Sequence, residues 1–412
     1  MNLNYVSKNI ILDNQNNRFI KESFFWNNIK KKNFNISGSF ACIKKTSDGY
    51  YLARDSAGSK KIFYGVTKKK KIKISNNFID LIFKKKVIVN SIKSVEKGSI
   101  IKLNNAGGID WQKYFKVEYN SQRNYKRYIK QNIILFLKEL KKKHGDNCVV
   151  CLSGGLDSTI IAYYASKVFK KLNLINISIE YKNKINQEEY LDFNAALQIA
   201  KYLKCKLIKL KITPNEINLK NLKKIMYASQ DYRDYNVHCA TLNYFIAKKI
   251  KKGSFVITGD FMNEYFADYK EEIFNNKKYY LNPKVNRKHL QNFFMRSLDS
   301  SDREIGVFNC FNVPLYQPYS IFFNFFKNLD INKLKLDNIK YIMNSKLIPS
   351  SLSKLTLKEK VRAQVGDKKG GILGCFIKKK FTSNFLKNFF IREFSLQKKW
   401  LKNFFNIGSY RI

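Results

Sequence analysis

The sequence is poor in proline, tryptophan and histidine, with 5, 3 and 3 of them in 412 residues. It has no apolar run near the ~20 residues that a membrane-spanning helix needs, and its first residues lack the basic and then apolar layout of a secretion signal. Its seven cysteines are odd in number and dispersed, so they form no disulfide framework and favour a reducing compartment. We therefore expect a cytoplasmic protein that does not enter a membrane.

Negative charge is also scarce, since 31 acidic residues face 78 basic ones and the formal charge is +47. Such an excess would suit a polyanion partner such as RNA. The excess is mostly lysine, however, and it accompanies abundant asparagine, isoleucine, phenylalanine and tyrosine, the residues favoured by A/T-rich codons. The lysine runs are scattered and are not gathered in one arm or helix. Codon bias therefore explains the charge better than specific nucleic-acid binding does, and nonspecific adhesion to polyanions follows in either case.

Apolar residues are plentiful enough for folded cores, at 44% of the chain. The length suggests two or three domains. Residues 1–118 carry short strand patterns separated by turn signals such as Asp48-Gly49. Strands are predicted over five segments: 39–43, 50–55, 62–64, 87–89 and 99–103. This first part is therefore predicted to be a β-rich domain.

Residues 119–412 have a different pattern, in which helices and strands alternate. An amphipathic helix over 125–143 is predicted to come first. Predicted strands then cover 147–152, 173–179, 206–212 and 254–258, and predicted helices cover 158–172, 187–203 and 236–252. Strands that alternate with helices of this length predict an α/β domain with a parallel sheet and right-handed crossovers. From about residue 271 the pattern is mainly helical.

A glycine loop joins the first predicted strand of this sheet to the next helix, and it reads Ser153-Gly154-Gly155-Leu156-Asp157-Ser158. Glycines permit a sharp turn and a close approach to a phosphate. The N-terminus of the following helix offers N–H groups and a positive dipole end. The hydroxyls of Ser153 and Ser158 add hydrogen bonds, and Asp157 would repel a bare phosphate. We therefore expect Asp157 to hold Mg²⁺ that bridges to a phosphate.

This hexapeptide resembles the S-G-G-x-D-S signature of the PP-loop ATP pyrophosphatase superfamily, whose members cleave ATP to AMP and pyrophosphate. Further segments resemble the asparagine synthetase family, which includes β-lactam synthetase-like members, and they occur in the family's order: 38–41, 52–55, 61–64, 258–264, 302–303 and 313–315. The resemblance covers nearly the whole chain. It implies a degenerate, nucleophile-hydrolase-like β-rich sandwich over residues 1–118, followed by a PP-loop α/β parallel-sheet synthetase domain over residues 119–412.

The resemblance also implies roles for single residues. Lys360, six residues before Gly366, resembles the family's catalytic lysine, and a fixed cation stabilises charge that builds up in the transition state. Asp260 replaces the family's glutamate and is favoured as general base for the attacking amine, with a reach to the metal as the alternative. Asn263 replaces a metal-binding aspartate and is, after Asp157, the second candidate Mg²⁺ ligand. The residues expected at the nucleotide are Ser153, Gly154, Gly155, Asp157, Ser158, Ser178, Thr258 and Gly259.

One departure from the family bears on the source of nitrogen. The family's glutaminase nucleophile is a cysteine at position 2, where this chain has Asn2, and the first cysteine is Cys42 within a predicted strand. An N-terminal asparagine cannot act as that nucleophile, so we expect no glutaminase activity. The resemblance then implies a ligase that adenylates a substrate carboxylate and lets an amine or ammonia displace AMP, with ATP and Mg²⁺ as cofactors.

Three alternatives stay open. The first is an ammonia-dependent asparagine synthetase. The second is a tRNA-modifying PP-loop enzyme, which the positive charge would suit and the β-rich first part disfavours. The third is a non-catalytic binding relative, suggested by Asn2 and Asn263. The sequence does not identify the carboxylate or the amine, which are small molecules or peptides, and it leaves a homodimer open.

Overall fold

The computed structural model describes residues 3, 5–29, 35–115, 124–179, 187–268, 271–274, 277–280, 288, 291, 299–329, 339–356 and 371–406. Within these residues, no helix combines the length and the apolar character that would let it cross a membrane. All seven cysteines lie in the described part and none of them forms a disulfide there, as the dispersed cysteine pattern predicts.

The described N-terminal residues form short strands and two short helices. The strands are β1 (Ile10–Asp13), β2 (Arg18–Ile20), β3 (Ile36–Ser39), β4 (Ala41–Thr46), β5 (Gly49–Arg54), β6 (Phe63–Val66), β7 (Ile72–Ser75), β8 (Lys93–Ser94), β9 (Ser99–Asn104) and β10 (Ile109–Tyr114). The helices are α1 (Glu22–Asn28) and α2 (Phe78–Phe83). The strands pair antiparallel in the orders β2-β1-β3, β10-β9-β5-β4 and β7-β6-β8. A β-rich N-terminal region is thus confirmed.

The predicted turn at Asp48-Gly49 is confirmed as the tight connection of the β4–β5 hairpin, in which Thr46 pairs with Gly49. Gly49 has a φ of +149°, and a Cβ there would lie 1.8 Å from the carbonyl oxygen of Leu103. Glycine is needed at this position because the neighbouring strand β9 leaves no room for a side chain.

The remaining described residues alternate between helix and strand before becoming mainly helical. The strands are β11 (Asn147–Cys151), β12 (Lys171–Ile179), β13 (Lys206–Ile212), β14 (Phe255–Ile257), β15 (Glu271–Phe274), β16 (Lys277–Tyr280) and β17 (Leu315–Tyr316). The helices are α3 (Tyr125–His144), α4 (Leu156–Val168), α5 (Gln187–Tyr202), α6 (Leu219–Ser229), α7 (Asp234–Lys249), α8 (Met262–Phe266), α9 (Asp299–Asn309), α10 (Phe323–Asn328), α11 (Ile339–Asn344), α12 (Ser350–Ser353), α13 (Gly371–Lys378), α14 (Ser383–Glu393) and α15 (Lys398–Asn406).

Five of these strands form the predicted parallel sheet, in the order β13-β12-β11-β14-β17. β11 lies at its centre, and Val149 pairs with Asn173 on one side and with Val256 on the other. Val150 and Leu174 are fully buried, as expected for strands that are covered by helices on both faces. The chain builds the sheet outward from β11 to β13 and then returns to β14. This reversal creates a switch point between β11 and β14.

Two predicted elements were wrong in detail. α4 ends at Val168 and not at residue 172, because Lys171 already pairs with Asn147 as the first residue of β12. The segment 87–89 is not a strand: Val87 makes one isolated bridge, and a 3-10 turn, Val89–Ser91, follows. There, the N–H of Ile88 donates to the carbonyl of Val66 at 2.9 Å, and the hydroxyl of Ser91 accepts the N–H of Val66 at 2.9 Å.

The N-terminal region and the parallel-sheet region share buried contacts. Ile10 and Leu12 of β1 belong to the same core cluster as Phe136 of α3. The Lys61 ammonium also donates to the carbonyl of Ser229 at 2.8 Å, in a buried position. The predicted boundary between residues 118 and 119 lies outside the described residues, so the division into two domains stays a prediction.

Candidate active site

The switch point brings two loops together at the carboxyl ends of β11 and β14. The first loop, 153–155, leads from β11 into α4, and the second, 258–261, leads from β14 into α8. A Cβ on Gly259 would lie 2.8 Å from the backbone nitrogen of Ser158 and 2.9 Å from its Cα. Only a residue without a side chain allows the second loop to rest on the first turn of α4. Crevices at such switch points are where open α/β sheets bind ligands.

The first loop has the geometry of a phosphate cradle. Gly154 has a φ of +79°, and a Cβ there would lie 2.8 Å from the carbonyl oxygen of Asp192 and 3.1 Å from Cβ of Ala195. The loop therefore fits between β11 and α5 only with glycine at this position. α4 begins at Leu156 and runs for 13 residues, so the first N–H groups and the positive end of its dipole face this loop.

The two predicted serine hydroxyls meet within this loop. Ser153 Oγ lies 3.1 Å from Ser158 Oγ, and Ser158 Oγ also donates to the carbonyl of Gly155 at 3.0 Å. Ser158 Oγ accepts the N–H of Ser153 at 3.3 Å. The predicted residues of the first loop thus come together in one compact turn. Their roles as nucleotide contacts stay predictions.

The second loop carries a hydroxyl–carboxylate pair, in which Thr258 Oγ1 donates to Asp260 Oδ2. Thr258 is buried and Asp260 is half-buried at the edge of the crevice. Burial raises the pKa of the nearby Cys151 thiol, and the charges of Asp260 and Glu304 raise it further. The residue after this pair, Phe261, has a φ of +94°, an unusual backbone conformation for a side-chain-bearing residue.

A lysine that the sequence did not single out joins the two loops. Lys340 of α11 places its ammonium 3.0 Å from Asp157 Oδ2 and 3.0 Å from Asp268 Oδ2, and it also donates to Asn263 Oδ1. Burial lowers the pKa of this ammonium, but the charges of Asp157 and Asp268 outweigh that effect and raise the pKa above its usual range. Lys340 is therefore a permanent positive charge within the crevice.

Asp157 has one carboxylate oxygen to spare. Its Oδ2 accepts from Lys340, while its Oδ1 is buried and has no hydrogen-bond partner among the described residues. A buried carboxylate oxygen without a partner costs stability unless a ligand satisfies it. No group of three or more histidine, cysteine, aspartate or glutamate side chains in the described part could hold a metal ion by itself. A cation at Asp157 Oδ1 would therefore need ligands from a bound molecule.

Other predicted site residues lie wholly or partly outside the described part of the chain. Ser178 lies on β12 where it pairs with Lys211, but its side chain is outside the described part. Lys360, Gly366 and Asn2 also lie outside the described residues. Lys340 was missed because it contacts Asp157 across 183 positions of sequence. In the sequence, Lys340 is one lysine among many and belongs to no motif that would have singled it out.

Comparison with known families bears on the class of this part of the chain. Residues 143–304 match the asparagine synthase family. This part of the chain is therefore similar to an asparagine synthase domain. The match begins at the end of α3 and covers both loops of the crevice, so the predicted resemblance is confirmed for this part of the chain. It ends before Lys340, and it is shorter than half of the chain. An asparagine synthase domain supports an ATP-dependent ligase of the PP-loop class.

Solved structures similar to the chain include three synthetases. An ammonia-dependent NAD synthetase from Campylobacter jejuni is 20% identical over 36% of this chain and 62% of its own, with a TM-score of 0.25. An NMN synthetase from Francisella tularensis is 18% identical over 58% of this chain and 100% of its own, with a TM-score of 0.26. A glutamine-dependent NAD⁺ synthetase from Acinetobacter baumannii, in complex with ADP, is 16% identical over 43% of this chain and 37% of its own, with a TM-score of 0.26. The similarity thus spans less than two thirds of the first of these chains. No curated protein sequence matches the chain.

Proposed function

We propose that this protein is an ATP-dependent amide-forming ligase that adenylates a substrate carboxylate. The observation that carries the proposal is the contact of the Ser153–Ser158 loop with the turn at Gly259, beside Oδ1 of Asp157, which has no partner among the residues that the structure describes. This arrangement offers helix N–H groups, hydroxyls and one carboxylate oxygen to a polyphosphate. The asparagine synthase domain at residues 143–304 supports the same chemistry.

The proposed reaction has two displacement steps. In the first, an oxygen of the substrate carboxylate attacks the α-phosphorus of ATP, the bond from that phosphorus to the α,β-bridging oxygen breaks, and pyrophosphate leaves. In the second, the amine nitrogen attacks the acyl carbon, the bond from that carbon to the AMP oxygen breaks, and the nitrogen loses a proton. The covalent adenylate splits one difficult amide synthesis into two easier steps.

Named residues serve each step. The loop from Ser153 to Ser158 holds the phosphates, and Lys340 neutralises charge that develops on the departing pyrophosphate. Asp260, held by the hydroxyl of Thr258, accepts the proton of the attacking amine. Lys360 stays the candidate for stabilising the tetrahedral intermediate, on its resemblance alone.

Mg²⁺ fits this site at Asp157, because Oδ1 is a hard, buried oxygen to which no described residue donates a hydrogen bond. When bound, Mg²⁺ would neutralise phosphate charge and orient the polyphosphate chain. Asn263 was predicted as the second ligand, but its amide oxygen accepts a hydrogen bond from Lys340. The residues therefore offer one carboxylate oxygen to a metal that binds together with ATP.

The amine does not come from a glutaminase reaction in this proposal. Cys42 is the only cysteine in residues 1–118, and it is 1% exposed. Burial and the nearby Glu22 raise the pKa of its thiol well above the ordinary value. A buried, protonated thiol is a poor nucleophile. The substrate amine or free ammonia is therefore proposed as the nitrogen source, and asparagine synthesis from ammonia remains one case of it.

The tRNA-modifying alternative is disfavoured by the cysteine nearest the crevice. Such an enzyme would use a reactive thiol at the ligand edge of the sheet. Cys151 ends β11 at that edge, but burial and the charges of Asp260 and Glu304 raise the pKa of its thiol far above the ordinary value. A thiol that resists ionisation is unsuited to sulfur transfer or disulfide chemistry.

The experiment is a measurement of pyrophosphate release from Mg-ATP, with aspartate and either ammonia or glutamine, next to ATP binding. Asp157→Asn should abolish release. Asp146→Asn is the matched control. Asp146 comes directly before β11, at the end of that strand away from the Ser153–Ser158 loop, and it pairs with Lys141. Release with aspartate and ammonia but not with glutamine would identify an asparagine synthetase. If no pyrophosphate is released with aspartate, but the chain binds ATP and Asp157→Asn weakens that binding, the substrate should be sought among larger carboxylates. Failure to bind ATP would refute the proposal.

A further inference from the structure

The Lys340 ammonium lies where oxygens from three elements converge. Asp157 comes from the first turn of α4, Asn263 from α8 and Asp268 from the segment after α8. All three side-chain oxygens accept from the same nitrogen, which uses the three donors that an ammonium possesses. Three oxygens around one small positive centre form a cation position, and in this chain a protein side chain occupies it.

The charges at this position suit an ammonium better than a divalent ion. Asp157 and Asp268 contribute two carboxylates, while the amide of Asn263 is neutral, so the ammonium leaves a single net negative charge. A second cation on the same three oxygens would be repelled by the ammonium at short range. The Lys340 side chain is only 14% exposed, so solvent does little to weaken that repulsion.

We propose that Lys340 acts as a built-in cation at the position formed by Asp157, Asn263 and Asp268, and that it keeps divalent ions from binding there. Asp157 Oδ1, the other oxygen of the same carboxylate, is then an oxygen left for a metal, because it has no partner within the part of the chain that the structure describes. The consequence, one divalent ion for each bound ATP, rests on the proposed function. The cation position itself does not.

Removal of the ammonium should therefore create a metal site. Mn²⁺ serves as the probe, because its electron paramagnetic resonance signal reports free and bound ion without ATP and without turnover. The full-length wild-type chain should bind Mn²⁺ weakly. Lys340→Met should bind one Mn²⁺ at least ~10-fold more tightly. Lys346→Met is the matched control, because Lys346 is exposed in the turn directly after α11 and should behave as wild type.

Two further variants separate a site from a change in net charge. Asp157→Asn in the Lys340→Met background should remove the gained Mn²⁺ site, because it deletes one of the converging carboxylates. Asn263→Asp in that background should tighten the site further. If Lys340→Met does not fold by circular dichroism, Lys340→Gln takes its place, since it also removes the charge and keeps a polar chain of similar length.

Equal Mn²⁺ affinity in wild type and in the Lys340 variant would overturn the proposal. A gain of affinity that survives Asp157→Asn would overturn it as well, because the ion would then bind elsewhere. These outcomes are independent of the proposed ligase. A chain that binds no ATP but gains the Mn²⁺ site in Lys340→Met would keep the cation position and refute the ligase. A chain that binds ATP but gains no Mn²⁺ site in Lys340→Met would refute the cation position and leave the ligase proposal standing.

Discussion

Two carboxylates with buried oxygens, Asp55 in the N-terminal region and Asp157 at the parallel sheet, have opposite surroundings. In the N-terminal region, Asp55 accepts from Ser59 and from the N–H of Phe40, and the Lys60 ammonium donates to Ser7 and Asn9. At the switch point of the parallel sheet, Asp157 keeps one buried oxygen without a partner among the described residues. Fully partnered charges stabilise a fold, whereas a partner left missing marks a place where a ligand completes the site.

Exchange of Asp157 for asparagine gives the sharpest contrast and the largest expected effect. Asp157→Asn should lower the rate of pyrophosphate formation at least about a hundredfold, because the phosphate site loses its carboxylate. The free energy of unfolding should fall by no more than about 2 kcal/mol, since the weakened ion pair with the Lys340 ammonium is offset in part by loss of a buried carboxylate oxygen that has no partner among the described residues. Enzyme assays and urea unfolding measure the two quantities. A large loss of stability would contradict the assignment of Asp157 to function.

The glycine of the phosphate loop offers a second contrast, with a glycine elsewhere that has nearly the same positive φ. Gly154 has a φ of +79° and Gly145 has a φ of +77°, but a Cβ would collide with α5 at the first and meet nothing within 4 Å at the second. Gly154→Ala should weaken ATP binding at least ~10-fold because the loop must shift. Gly145→Ala should cost about 1 kcal/mol of stability through backbone strain alone. Titration calorimetry with ATP measures the affinity of both variants. An equal loss of affinity in the two would contradict the contrast.

The same exchange in the N-terminal region should act on stability alone. Asp55→Asn should lower the free energy of unfolding by about 2 to 3 kcal/mol, because buried donors from Phe40 and Ser59 lose a charged acceptor. Pyrophosphate formation below the unfolding temperature should stay near the wild-type rate. Chemical unfolding and the same enzyme assay give the result. A specific loss of activity in a folded Asp55 variant would show that the N-terminal region takes part in the chemistry.

The N-terminal region also predicts a pH dependence of stability, which comes from Lys60. Burial lowers the pKa of this lysine from 10.5 to about 7. Between these two values the unfolded chain binds more protons than the folded one, so the contribution of Lys60 to stability rises as the pH rises from about 7 towards 10.5. Lys60→Met should flatten that rise. Unfolding curves at neutral and at mildly alkaline pH, compared with Lys45→Met as a control at an exposed lysine of the same region, show whether the slope depends on Lys60.

Local signals in the sequence predicted the fold and part of the site. The hexapeptide from Ser153 to Ser158 is contiguous, and the strand before it and the helix after it have clear periodicities, so both the loop and its place in a parallel sheet could be predicted. The segment 87–89 has strand-forming residues, yet it makes one isolated bridge before the chain turns at Val89–Ser91. Whether such a segment extends into a strand depends on its tertiary partners, which a local pattern does not contain.

Lys340 shows the limit of that approach most clearly. Its three partners come from different elements, and its nearest partner in sequence, Asp268, is 72 positions away. A single lysine carries no pattern in a chain with 78 basic residues. By contrast, Thr258, Gly259 and Asp260 follow a strand directly, and they could be placed at the crevice from sequence because parallel strands end at one edge.

The most direct test of the central claim is titration of the purified chain with ATP in the presence of Mg²⁺, in wild type, Asp157→Asn and Asp55→Asn. The account predicts that wild type and the Asp55 variant bind one ATP with similar affinity, and that Asp157→Asn binds it at least ~10-fold more weakly. Absence of ATP binding in the wild-type chain, or equal affinity in wild type and Asp157→Asn, would contradict the assignment of this crevice as the nucleotide site.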